Sequence, residues 1–453
     1  MIKRTLLKNG TVITLDKTIG DFKQADVLIE GNKIVEIQPD LNVSECETID
    51  AENMIVMPGF VDTHRHTWES LIRNIGADWS LDTYLKNIYF GNIGSRLRPF
   101  DGYVGNLIGA LEALEAGVTT ILDWSMIESP EHADEWIRGL KEAGIRAVFA
   151  YGLSGDHDYW NRESKLRHPE DSKRVKKQYF SSTDQLLTMG LAIRGPEFSH
   201  WEATVSDIQL ARELDVICSM HLGFGTWGSV DRSIEKLHKA DLLGPDLNFV
   251  HANTINDNEF GLIASSGASI SVTPEVEMMM GHGYPATGLF LEQGGRPAIG
   301  VDVVTSTGGD LFAQMKFALQ AERSRINEQL LKEEKMPEQL ALSARDVLEF
   351  ATIDGARALG LDHKTGTLTP GKEADIIMID LTHLNMFPLN DPVGAVVQCA
   401  NTHNVDSVFV AGKAIKRRGE MLNINLDRLR QWAMESRDHL LTGYQTAEGN
   451  ETN

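Results

Sequence analysis

Residues 55–66 read IVMPGFVDTHRH, an apolar, β-branched run that breaks off into Asp62-Thr63-His64-Arg65-His66. We read 55–64 as a strand. Alternate side chains of a strand share a face, so His64 and His66 aim one way. Arg65 aims the other way, which gives it a structural role. Two imidazoles on one face at a strand end can clamp a metal ion.

Seven further short apolar runs follow. They are VTTILDWS (118–125), IRAVFAYG (145–152), LTMGLAIR (187–194), VICSMHLG (216–223), LNFVHANT (247–254), ASISVTPE (268–275) and PAIGVDVV (297–304). Runs this short and apolar suit strands buried on both faces of a parallel sheet. Helical patterns separate them, among them YVGNLIGALEALEAG, ADEWIRGLKEAG, VSDIQLARELD and INDNEFGLIASSG. Strand–helix alternation implies right-handed crossover units, and eight of them imply a (β/α)8 TIM barrel. An open doubly wound sheet is the rival, but no G-x-G-x-x-G follows the first strand.

Both ends of the chain differ from this middle. Residues 1–56 read as short strands separated by Asn-Gly and Gly-Asn turns. After two helical stretches (312–335 and 343–360), short strands return in GTLTPGKEADIIMIDL, AVVQCA (395–400) and NVDSVFVAGKAI. The expected α/β architecture is therefore a small β-sandwich part at 1–56 and a catalytic barrel at 57–360. The second sandwich part follows at 361–420, then a C-terminal helix and frayed tail at 421–453.

Composition narrows the function. The 453 residues carry 43 Lys+Arg against 65 Asp+Glu, a formal net charge of −22. That excess opposes nucleic-acid binding and anionic membranes. The three cysteines, Cys46, Cys218 and Cys399, are too scattered for a disulfide framework or zinc finger. No apolar run is long enough to span a bilayer, and no signal-peptide pattern opens the chain. The expectation is a cytoplasmic protein with a small-molecule substrate.

The histidine pair has company. His221 closes the fifth predicted strand, His251 the sixth and Asp302 the eighth. Active sites of these barrels lie at the C-terminal strand ends. We therefore expect three of these imidazoles and Asp302 to hold a divalent ion. Such an ion activates water, and Asp302 can take and pass on the proton. His251 is either a ligand or a catalytic group that steadies the substrate; the residues alone leave this open.

These motifs, together with MPGFVDTHRH and GTLTPGKEADIIMID, resemble the metal-dependent amidohydrolase superfamily, in its cytosine deaminase-like and chlorohydrolase-related branch. The resemblance runs from about residue 5 to 415 and implies the same barrel, the same sandwich and a mononuclear site in which the residues matching His64, His66, His221 and Asp302 hold one divalent ion, zinc ahead of iron, although the ligand set suits both. It further implies that His251 binds or polarises the substrate or its water. It also implies a homodimer or larger homo-oligomer. Two departures stand out. The fourth strand ends in Arg194, where binuclear members carry a carboxylated lysine, so one metal is expected. Phe224 stands where deaminases of this branch carry the glutamate of H-x-x-E, and a phenyl ring moves no proton.

Candidate replacements are Glu275, Glu277 and His282 on the loop after strand seven, with Glu69 and His157 behind them. Trp68, Trp79, Trp124, Trp160 and Trp227 are candidate pocket walls, and Met278–Met280 a soft packing cluster. Of these, Trp68, Glu275, Glu277 and His282 join His251 as expected substrate contacts. The leading expectation is a hydrolase that cleaves a C–N bond of amide, amidine or urea type in a small cyclic or aromatic substrate. The alternatives are a deaminase or dechlorinase of a nucleobase-like or triazine-like ring with a rewired proton path, and a catalytically silent oligomeric relative.

Overall fold

A computed structural model describes residues 3–444; the tail expected at 445–453 lies outside the described residues. Strands β1 (Arg4–Val12), β2 (Phe22–Glu30), β3 (Lys33–Gln38), β4 (Glu47–Asp50) and β5 (Met54–Pro58) come first. The barrel strands, one to eight, are β6 (Phe60–Arg65), β7 (Val118–Trp124), β8 (Arg146–Tyr151), β9 (Leu187–Ile193), β10 (Ile217–Leu222), β11 (Leu247–His251), β12 (Ser269–Val272) and β13 (Ala298–Ile299). β14 (Ile376–Asp380), β15 (Val405–Val410), β16 (Lys413–Arg417) and β17 (Glu420–Met421) follow.

β6 to β13 pair in chain order, each parallel to the next. Every residue of β7, β8 and β11 is buried, as strands sandwiched between barrel interior and helices should be. The ring closes through a parallel bridge between Arg65 and Asp302. The second sheet joins the chain ends in the order β17-β16-β15-β14-β5-β1-β2-β3, with β4 beside β1. The fold is thus a (β/α)8 barrel carrying a small β-sandwich formed from both termini.

Three expectations need correction. The run 55–64 is two strands in two sheets: β5 pairs antiparallel with β14, while β6 enters the barrel. The switch falls at Gly59, whose amide donates to the Asp375 carbonyl at 3.0 Å. A Cβ there would sit 2.2 Å from the Thr119 side chain, so only glycine passes between the sheets. The eighth strand shrinks to Ala298–Ile299 because Asp302 adopts φ 69°, which breaks extended geometry. AVVQCA is a π-helical turn, Ala395–Cys399, since β14 already has β5 on one edge and β15 on the other. Its buried Val396 and Val397 pack against the helix Leu311–Lys332 instead.

One buried ion cluster ties barrel to sandwich. Arg146 on β8 donates to Asp375 Oδ2 and Glu373 Oε2, each at 2.6 Å, and is fully buried. Arg146→Met strands two buried carboxylates. Losing one partner of a buried pair costs about 3–5 kcal/mol. The variant is expected to unfold at markedly lower denaturant, read by tryptophan fluorescence.

Candidate active site

The site is assembled where the barrel closes. The Asp302 amide donates to the His64 carbonyl at 2.8 Å, and the His66 amide to the Asp302 carbonyl at 2.9 Å. Asp62 Oδ1 accepts from the amides of His64 (3.2 Å) and Val301 (3.1 Å). Arg65 turns outward, as its strand parity requires, and donates to Asp62 Oδ2 at 2.8 Å and to the Gly309 carbonyl. These bonds lock strands one and eight in register and aim His64, His66 and Asp302 at one point.

His221 reaches the same point from β10. His64 Nε2 lies 3.1 Å from Asp302 Oδ1 and 3.1 Å from His221 Nε2, and His66 Nε2 lies 3.4 Å from Asp302 Oδ1. One ligand atom from each of these four residues falls within 4.8 Å of all the others. Burial, then the neighbouring imidazoles, pushes His66 down to about 3 and His221 well below the usual histidine range. Burial alone would raise the Asp302 carboxyl; the His64 hydrogen bond and the charge of the surrounding imidazoles hold it well below the usual carboxylate range. Three imidazoles and one carboxylate converging on one point fit a divalent cation.

His251 stands beside this cluster rather than in it. Its Nε2 is 3.8 Å from Asp302 Oδ2, while Nδ1 is 3.3 Å from Glu277 Oε1 and 3.2 Å from Thr273 Oγ1. The Thr273 amide also donates to Glu277 Oε1 at 2.9 Å. A carboxylate at Nδ1 fixes the proton there and leaves Nε2 as an acceptor facing the cavity. His251 itself is held at φ 78°, a strained setting of the kind found at functional sites.

Above the cluster opens a narrow cavity of about 40 Å³. Its walls include Tyr89, Trp160, Phe198, Phe224, Met280 and His282. Phe224, at the H-x-x-E position, has its ring 5.0 Å from that of His251.

The other expected residues divide. Glu277 is fully buried against His251, and His282 lines the cavity. Trp68 and Glu275 are not on the cavity wall. Trp68 is buried beneath the helix Pro99–Glu115, because the chain turns into a 3-10 helix directly after His66. Glu275 faces the helix Leu311–Lys332, where its Oε2 accepts from Gln314 at 3.0 Å; burial, then Asp310, raises its carboxyl to about 7. Among the tryptophans, Trp160 lines the cavity. Trp124 packs 4.2 Å from the His221 ring, and Trp227 packs 5.0 Å from Phe224. His157 stacks on Phe90. Met280 lines the cavity, while Met278 and Met279 are exposed.

Arg194 does not enter the metal cluster. It is buried, donates to the carbonyls of Tyr159 and Leu166, and lies over the Tyr159 ring. It therefore pins the loop that carries Trp160. Glu69 is also fully buried, and its Oε1 accepts from Tyr84 at 2.7 Å. Burial, helped by the charge of Asp302, raises the Glu69 carboxyl well above its usual range.

The sequence reading missed the helix Leu81–Ile88, which brings Leu81, Tyr84 and Leu85 over the cavity, with Tyr89 and Phe90 just after it. Ser80 caps it, its side chain accepting from the Thr83 amide. That signal was present in SLDT, but nothing local tells a lid-like helix from a packing one.

The comparisons with known proteins agree with this geometry. Residues 55–415 match the amidohydrolase family. The chain is 28% identical over 411 residues to a 5'-deoxyadenosine deaminase of Methanothermobacter thermautotrophicus, covering 89% of this chain and 91% of that one. It is 27% identical over 440 residues to a 5-methylthioadenosine/S-adenosylhomocysteine deaminase of Pyrococcus abyssi, covering 95% and 98%. Its fold is similar to a zinc-bound adenosine deaminase of Xanthomonas campestris, with TM-score 0.83, 22% identity and coverage of 97% and 98%. It is also similar to an atrazine chlorohydrolase of Arthrobacter aurescens complexed with zinc, with TM-score 0.81, 23% identity and coverage of 96% and 100%. The family match takes in every candidate ligand from His64 to Asp302 and strands of both sheets, and the chain belongs to the amidohydrolase family.

Proposed function

We propose that the protein is a hydrolase with one zinc ion per chain, held by His64, His66, His221 and Asp302, that cleaves a C–N bond of amide, amidine or urea type in a small cyclic or aromatic substrate. The observation that carries this reading is the convergence of those four ligand atoms within 4.8 Å at the base of an aromatic cavity. When bound, the ion lowers the pKa of water and polarises the scissile carbon. Asp302 takes the proton from the attacking water and delivers it to the departing nitrogen. His251 Nε2 accepts a hydrogen bond from the water or the substrate on the side facing Asp302 Oδ2. Tyr89, 3.4 Å from His66 Nδ1, orients that imidazole, as outer partners of metal ligands do.

A second reading is deamination or dechlorination of a heteroaromatic ring. The names of the deaminase relatives favour it. Phe224 weighs against it, because a ring nitrogen would have to draw its proton from Asp302 or His282. Zinc-loaded and chelated enzyme should be assayed on N-substituted amides, ureas and amino-heterocycles for release of amine, ammonia or chloride. Zinc-dependent amine release supports the first reading. Zinc-dependent ammonia or chloride release replaces it with the second, and no zinc-dependent product sinks both. We also place the protein in the cytoplasm as a homo-oligomer, a state that sedimentation equilibrium tests.

Glu277 acts here as a positioning residue. Glu277→Gln loses the charge that fixes the His251 tautomer, and kcat is expected to fall about 10–100-fold with KM and zinc content unchanged. A proportional rise in KM with kcat intact would show that Glu277 shapes the pocket instead.

A further inference from the structure

The cavity over the metal cluster measures about 40 Å³, room for about three waters at roughly 10–15 Å³ for each. A benzene ring takes an apolar cavity of about 150 Å³. A cyclic substrate therefore reaches His221 and Asp302 only if a wall moves. Burial shows which wall. Apart from His221 itself, the half-buried residues around the space are Leu81, Leu85, Phe90, Trp160 and Phe198, and the others are buried. The outer end thus lies between the helix Leu81–Ile88 on one side and the loops after barrel strands three and four on the other.

The helix is the loosely held side. The backbone bonds of residues 77–92 stay within the segment or reach only its flanks at Gly76 and Ser95. Among the described residues, two side-chain bonds tie it to the rest of the protein. The Tyr84 hydroxyl donates to Glu69 Oε1 at 2.7 Å, and the Tyr89 hydroxyl lies 3.4 Å from His66 Nδ1. Beyond these it rests on apolar and ring packing, with Phe90 stacked 4.7 Å from His157 and Tyr89 edge-on to Trp160 at 5.2 Å. Segments held by so few bonds open at low cost. The backbone turns left-handed on both sides, at Asn74 (φ 63°) ahead of the helix and at Phe90 (φ 56°) and Gly91 (φ 78°) behind it. Hinge motion is absorbed at a few loop positions of this kind. A Cβ on Gly91 would meet only Asp156, at 3.6 Å, so that turn has room to move.

We infer that residues 77–92 are a lid, closed in this structure, which swings about residues 74–76 and 90–92 to admit the substrate. Closing sets Tyr84 on Glu69 and Tyr89 on a metal ligand, so enclosure of the cavity and the orientation of His66 come together. When the lid lifts, water replaces both hydroxyls, which keeps the open and closed states close in free energy. This deepens the proposed function and rests on it for the size of the substrate.

The test is thiol accessibility, which needs no substrate. Met280→Cys places a thiol on the cavity wall opposite the lid, and Cys46→Ser with Cys399→Ser removes the accessible natural thiols. The zinc-loaded full-length protein is treated with methyl methanethiosulfonate, and labelling at positions 280 and 218 is followed by mass spectrometry. Cys218, buried in barrel strand five, reports any loosening of the whole barrel. Position 280 is expected to label about 10–1,000-fold more slowly than the exposed Cys399 of the wild-type protein, the range for an open state populated at about 0.1–10%. Tyr84→Phe leaves Glu69 Oε1 buried without its donor while the lid is closed, and should speed labelling at 280 about 5–100-fold with Cys218 unchanged. Labelling at 280 as fast as at Cys399 overturns the lid. So does a rate that Tyr84→Phe leaves unchanged or raises only in step with Cys218. Zinc-dependent turnover alongside either result leaves the hydrolase reading standing without a lid, whereas slow, Tyr84-dependent labelling without any zinc-dependent turnover keeps the lid and removes that reading.

Discussion

Asp302→Asn is expected to lower kcat/KM about 10²–10⁴-fold, the range for removal of a positioned proton carrier, and to deplete bound zinc. Asparagine preserves the shape of the side chain and so leaves the barrel closed. On the proposed mechanism it removes the anionic metal ligand, which lies 3.1 Å from His64 and 3.4 Å from His66, and the base for the attacking water. Both expected losses fall on one residue because Asp302 Oδ1 faces His64 and His66 while Oδ2 faces His251. Kinetics and elemental analysis on the same preparation read the two losses together. A variant within tenfold of wild type, with full zinc, would remove Asp302 from the mechanism.

The second large effect comes from a residue that touches no substrate. A Cβ on Gly300 would meet the His64 amide nitrogen and carbonyl oxygen at 2.8 Å each, and the His64 Cβ at 3.0 Å. The first two are backbone atoms and cannot swing aside. Gly300→Ala must therefore push barrel strand eight away from strand one, stretching the two bonds that join Asp302 to His64 and His66. Overpacking of this kind costs about 1–3 kcal/mol. A misplaced ligand pair weakens metal binding by an amount comparable to outer-shell loss, about 10–100-fold. The variant is expected to fold, to bind zinc at least tenfold more weakly in a chelator competition, and to recover activity in part at high zinc. Wild-type zinc affinity would show that the closing seam has slack that the distances deny.

Much of this was legible in the sequence because each signal was local and had a mechanism. A polar residue ending an apolar strand is expensive unless something uses it. His64, His66, His221, His251 and Asp302 carried that signal on four separate runs, and the fold brings their strand ends together. The strand parity that turned Arg65 away from the site likewise follows from two-residue periodicity. What was not legible depended on the third dimension. Trp68 and Glu275 were reasonable by position, yet a 3-10 turn after His66 and a helix beginning at Pro274 swing them into packing and into Gln314. The helix Leu81–Ile88 covers the cavity only because its surroundings place it there. The division of IVMPGFVDTH at Gly59 between two sheets depends on Thr119, 60 residues away, which no local pattern encodes.

The central claim is a single catalytic zinc at the closing seam of the barrel. Its most direct test is elemental analysis of purified wild-type and His64→Ala protein, alongside activity after chelation and zinc return. The account predicts about one zinc per wild-type chain, depletion in His64→Ala, and activity that leaves with the metal and comes back with it. Full zinc in His64→Ala, or hydrolysis undiminished in chelated wild-type protein, would contradict it.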